Sequence, residues 1–211
     1  DSDRANPDLT SKAYSGYRST NPVLATGKFF KESLEGLAET ATLVEGKTPA
    51  NAVLLTRVNS QPITNWLSHA ISVSDNTETE MIARHTLRMA GYQTLFTNIQ
   101  PMVKRELGKL GIDTKKLVML DGSGLAQGNR VTAKMIATLM ALATKPESVL
   151  NPMISYLPVS GVSGTLATRF NGSNKNARGY VHAKSGFIPG LYSLAGVVYA
   201  NAIKKGAPCI F

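Results

Sequence analysis

The hydrophobic period of this chain changes once, and that change constrains its fold class more than any other feature. Up to about residue 144 apolar side chains recur at helical spacing, whereas the last third alternates in short runs separated by glycine turns. Residues 179–184, 191–200 and 208–211 read as strands. They are joined by Gly186-Phe187-Ile188-Pro189-Gly190 and by Lys204-Lys205-Gly206, the spacing of an antiparallel meander. Helices followed by consecutive strands predict an α/β chain of the α+β type, an antiparallel sheet packed by helices. A length of 211 residues with 43% hydrophobic side chains supplies one core of single-domain size.

The helical part divides at its breakers. Residues 1–20, rich in Ser, Asp, Asn and Pro, form an irregular lead-in, and 21–211 the domain. Phe29, Phe30, Leu34, Leu37 and Ala38 place a helix over about 24–40, and the β-rich run 51–58 between two prolines predicts a short strand. Ile63, Trp66, Leu67, Ala70 and Ile71 begin a second helix that stops at Ser74-Asp75-Asn76, whose side chains compete with the helical backbone. Helical period resumes over 77–90, with Glu78 and Glu80 near the start and Gly91 as the stop. Further helices are predicted over 98–110 and 132–144, with a strand at 117–120 running into the turn Asp121-Gly122-Ser123-Gly124, which reads as structural.

Composition removes several function classes. No apolar stretch approaches the ~18 residues that span a bilayer, and Cys209 alone makes neither an internal disulfide nor a thiolate metal cluster. There is no P-loop and no His-Glu-x-x-His, and His69, His85 and His182 are too scattered for a metal site, so no cofactor is expected. The formal charge is +9, concentrated in residues 122–211, where nine basic residues face Glu147 alone. That bias attracts anions. Nucleic acid is a poor partner, because the predicted strands lack the aromatic platform of single-strand readers.

Two short motifs remain, Ser74-Asp75-Asn76 between helices and Lys184-Ser185-Gly186 at a strand end. Ser-Asp-Asn and Lys-Thr-Gly accompany Ser-x-x-Lys in penicillin-binding proteins and class A β-lactamases. Around them lie Glu80-Met81-Ile82-Ala83-Arg84, Leu120-Asp121-Gly122-Ser123-Gly124-Leu125, Leu157-Pro158-Val159-Ser160-Gly161 with Gly164-Thr165-Leu166, and Leu194-Ala195-Gly196. In that order and spacing, from about 21 to 211, the chain resembles the low-molecular-mass class C penicillin-binding proteins, the D-Ala-D-Ala carboxypeptidase/endopeptidases. The Asp-Gly-Ser-Gly-Leu and Leu-Pro-Val-Ser-Gly blocks set it apart from the β-lactamases.

The resemblance implies a penicillin-binding transpeptidase-like domain and a bacterial, extracytoplasmic enzyme with no cofactor. Its partners would be peptidoglycan peptides ending in D-Ala-D-Ala and β-lactam antibiotics. Such an acyl transferase needs a nucleophile, a base, a relay to the leaving amine and N–H donors for the oxyanion. By resemblance Ser74 relays the proton, Asn76 holds the substrate amide, and Lys184 supplies positive charge. Ser185 offers the terminal carboxylate a hydroxyl, Gly186 lets substrate lie on the strand, and the Phe187 N–H is an oxyanion donor. Gly164-Thr165-Leu166 is expected to be architectural.

Two departures bear on this. Ser185 stands where the family usually has Thr, and Phe187 where it has a hydroxyl residue. None of the lysines has Ser or Thr three residues before it, so Ser-x-x-Lys is absent from these 211 residues. The expectation is a C-terminal part of a longer enzyme, with an incomplete sheet, apolar surface prone to association, and an upstream segment carrying the nucleophile. The alternative is a non-catalytic wall-binding relative or an inactive fragment.

Overall fold

The computed structural model describes Ser19, residues 21–199 and residues 208–211. The expected lead-in at 1–20 lies outside these apart from Ser19, as does the Lys204-Lys205-Gly206 turn. Two compact units, Asp1–Val58 and Asn59–Phe211, make up the chain.

The first unit holds helix α1 (Pro22–Ser33). Asn21 caps it by accepting the Leu24 N–H at 3.0 Å, and Pro22 sits at the first turn, where a missing N–H costs nothing. The helix ends earlier than the predicted 40. Glu35 and Gly36 take left-handed backbone, and Lys31 Nζ donates to the carbonyls of Glu39 and Ala41 at 3.1 and 2.6 Å, folding the next residues back. The predicted strand over 51–58 is not formed. Val53, Leu55 and Val58 are over 80% exposed, and no strand among the described residues pairs with this run. Strand propensity reflects packing on a pleated neighbour, which is missing here.

The second unit carries the helices α2 (Ile63–Val73), α3 (Asn76–Met89), α4 (Ile99–Lys109), α5 (Ala133–Ala143) and α6 (Pro152–Tyr156), then β1 (Val181–Ile188), β2 (Leu191–Val198) and β3 (Cys209–Ile210). Leu87 of α3 packs on Ile99 and Met102 of α4, and Ile112, Leu117 and Met135 continue the core toward α5. Leu166, Val181 and Ala183 bury the start of β1. The predicted strand at 117–120 reduces to one bridge between Val118 and Arg130. Its neighbours are satisfied by side chains instead, since Met119 N–H donates to Gln100 Oε1 at 3.0 Å and Leu120 N–H to Asn129 Oδ1 at 2.8 Å.

The meander is antiparallel in the order β1-β2-β3, with Lys184 opposite Ala195 and Gly186 opposite Ser193. β1 runs on through Ile188, so the predicted five-residue turn shrinks to Pro189-Gly190, with Gly190 at φ +83°. The outer edge of β1 is covered only at its start. Ser160 N–H donates to Val181 O at 2.9 Å and Ala183 N–H to Pro158 O at 2.9 Å. Because alternate residues face the same edge, Ser185 and Phe187 present their N–H and C=O groups outward beyond that cover.

Asp121 organises the turn that follows α4. Its buried carboxylate accepts from Ser123 Oγ at 2.6 Å, Asn129 Nδ2 at 2.7 Å and the N–H groups of Gly124, Leu125 and Ala126 at 3.0–3.2 Å. Burial opposes its ionisation, but bonds from Ser123, Asn129 and the backbone outweigh that and hold the carboxyl below its usual range. Glu80 of α3 clamps the same turn, accepting Gly122 N–H at 2.6 Å and Arg84 Nε at 2.9 Å. A side chain at Gly122 would overlap Ala83. Asp121→Ala is expected to lower stability by about 3 kcal/mol in chemical denaturation, because several backbone N–H groups lose one charged acceptor. With a lowered folded value, the Asp121 contribution is present above the unfolded carboxyl value and is lost as pH falls through the folded one, a dependence the variant lacks.

Candidate active site

The break between α2 and α3 gives the site its first wall. Ser74 ends α2 in left-handed backbone, φ 61° and ψ 46°, a conformation unusual for a residue with a β-carbon. Its neighbour Asp75 holds it there at both ends. The Asp75 N–H bonds Ala70 O at 3.1 Å, while its Oδ1 accepts the Thr77 and Glu78 N–H groups at 2.8 and 2.9 Å and caps α3. Ser74 thus projects from a turn that is fixed on both sides.

β1 supplies the second wall. Lys184 Nζ donates to Ser74 Oγ at 2.7 Å, across 110 residues of sequence, and to Ser185 O at 2.6 Å. An ammonium has three donors, so one N–H is left for the space between the walls. Burial pushes the Lys184 amine below the ordinary lysine value. Gly186 packs closely on its neighbour strand, where a β-carbon would displace the Ser193 hydroxyl.

Between these walls lies a cavity of about 570 Å³. Ser74, Asn76, Lys184, Ser185, Gly186 and Phe187 all line it, so the structure brings every predicted site residue to one place. Phe187 is 64% exposed and its ring lies 4.9 Å from that of Tyr192, forming an apolar lip. Sequence reasoning missed Thr165 and Arg169, which also line the cavity; Thr165 Oγ1 lies 3.1 Å from Ser185 Oγ. No carboxylate joins them among the described lining residues, and Lys184 and Arg169 make the wall positive. Ser123 reaches the cavity from the turn read as structural, which is thus both scaffold and wall. Among the described residues no cluster of His, Cys, Asp or Glu could hold a metal ion.

Residues 6–211 match the D-Ala-D-Ala carboxypeptidase 3 (S13) family. The chain belongs to that family. Among relatives, carboxypeptidase DacB of Mycolicibacterium smegmatis is 32% identical over 184 residues, which cover 86% of this chain and 40% of that protein. The D-alanyl-D-alanine carboxypeptidase of an Actinomadura species is 34% identical over 188 residues, covering 84% and 34% respectively. The structure resembles penicillin binding protein 4 of Haemophilus influenzae in complex with a β-lactam, with a TM-score of 0.63 and 27% identity over 75% of this chain and 37% of that one. The helix and sheet arrangement is therefore the penicillin-binding fold. This S13 chain spans 40% or less of the length of these relatives.

The buried lysine has a measurable consequence. Lys184 should titrate below 10.5 in the folded chain, read as a lysine side-chain resonance that Lys184→Met removes. Between that lowered value and the unfolded one, the unfolded chain binds more protons, so stability rises with pH across the window, a rise the variant lacks.

Proposed function

We propose that this cavity is the acyl-transfer site of a serine-type D-Ala-D-Ala carboxypeptidase/endopeptidase that acts on peptidoglycan stem peptides and is blocked covalently by β-lactams. The observation that carries this reading is the 2.7 Å bond from Lys184 Nζ to Ser74 Oγ, which joins the two family motifs in one positive cavity. The nucleophile is a serine of a Ser-x-x-Lys segment outside these 211 residues. Its oxygen adds to the carbonyl between the two D-Ala residues, and its proton passes through Ser74 to the departing amine as the C–N bond breaks. Water then hydrolyses the ester and restores the serine.

Lys184 keeps Ser74 oriented and makes the cavity favourable for negative charge. Its third N–H is left for a substrate carboxylate, which would also meet the Ser185 hydroxyl. Asn76, at the first turn of α3, offers its amide to the substrate peptide. The Phe187 N–H faces the uncovered edge of β1, where an oxyanion could accept it; such a donor contributes on the order of 3 kcal/mol to the transition state. Peptidoglycan as substrate places the enzyme outside the cytoplasm of a bacterium. A second reading, a wall-binding module without turnover, draws on the absence of Ser-x-x-Lys and on the exposed apolar run 51–58, which suits association.

Intact-mass spectrometry after incubation with penicillin separates the two. The complete protein containing this chain is expected to gain one penicilloyl mass, and Lys184→Ala to slow its acylation by about a hundredfold or more. An unmodified wild-type protein would overturn the acyl-transfer reading in favour of a wall-binding or inactive relative, and normal acylation of Lys184→Ala would remove the role given to that lysine.

A further inference from the structure

We infer that Thr165 is a positioning residue for ligand carboxylate: it donates its hydroxyl hydrogen to Ser185 Oγ and so turns the Ser185 hydrogen toward the anion. This rests on the proposed acyl-transfer reading and assigns a task to a side chain that the motifs leave aside. The two hydroxyl oxygens are 3.1 Å apart, 20 residues apart in sequence, and both border the positive cavity beside Lys184. A serine hydroxyl is a free rotor with one hydrogen and two acceptor sites. When Thr165 fills one acceptor site, the remaining hydrogen has a preferred direction, and the accepted bond polarises it into a stronger donor.

Thr165 is rigid enough for this task. The residue before it, Gly164, has φ +56° and lies so close to Ser72 O that a β-carbon there would overlap it and would also come within 3.0 Å of Pro158 Cγ. The residue after it, Leu166, is fully buried against Val181 and Ala183 at the start of β1, and its carbonyl accepts the Gly161 N–H at 2.9 Å. Thr165 is therefore held between a glycine packed on the end of α2 and a leucine buried against the strand that carries Ser185. The next outward residue of that strand, Phe187, has a ring and no hydroxyl, so beyond Lys184 the hydroxyl that this edge of β1 offers is that of Ser185. Lys184 and Arg169 favour an anion there, with no carboxylate among the described lining residues to compete.

The test compares acylation of the complete protein by benzylpenicillin, which carries a carboxylate, with acylation by its methyl ester, which does not. Thr165→Val is expected to slow benzylpenicillin by about tenfold or more relative to the ester, while Thr165→Ser keeps the wild-type ratio. A merely structural defect would slow both compounds alike, so equal slowing, or an unchanged ratio in Thr165→Val, overturns the inference and leaves the acyl-transfer reading standing. A wild-type protein that neither compound acylates overturns both.

Discussion

The bond between Lys184 and Ser74 depends on two local geometries set 110 residues apart, and the rest of the second unit supports them. On one side, a residue with a β-carbon must hold left-handed backbone, which is stable only where neighbours over-determine it. Asp75 does so by ending one helix through its N–H and starting the next through its carboxylate. On the other side, a lysine must stay half-buried on a strand. A buried ammonium is tolerated when its donors are used, and Ser74 Oγ and Ser185 O take two of them.

The third wall follows from the same economy of buried polar groups. Glu80, one turn into α3, accepts the Gly122 N–H, and Asp121 gathers the N–H donors of Gly124, Leu125 and Ala126 and two side chains into its carboxylate. α3 therefore fixes Asn76 at its start and the glycine turn along its side, and Ser123 reaches the cavity as a consequence. A turn satisfied by charged acceptors is stiff, and stiffness is what a site needs if its donors are to meet developing charge without reorganising.

The helices of the second unit were legible because each signal was local. The period of Ile63, Trp66, Leu67 and Ala70 gave α2, Asp75 and Gly91 bounded α3, and Thr132 caps α5 through the Met135 N–H. Strand predictions fared by partner. The meander formed because each run had a neighbour in register, whereas 51–58 had the right residues and no ladder, and 117–120 found side-chain acceptors instead. At the site, the motif residues converge as expected, but Thr165 was read as architecture. No chain-local pattern could reveal it, since its partner is 20 residues away and the contact exists only once Gly164 and Leu166 are packed.

The position of the cavity follows from the edge of β1. Up to Ala183 that edge is closed by Pro158 and Ser160, and a closed edge offers a ligand nothing to bond. Lys184 comes next, followed by Ser185 and Phe187 with outward backbone groups and no covering strand among the described residues. Unpaired strand edges invite pairing with another extended chain. Here the invitation is confined to a few residues beside a half-buried ammonium, which favours negative charge next to the open edge. The same alternation that turns the Phe187 N–H outward returns Gly186 to its pairing with Ser193, so the open edge and the sheet ladder use different residues of one strand.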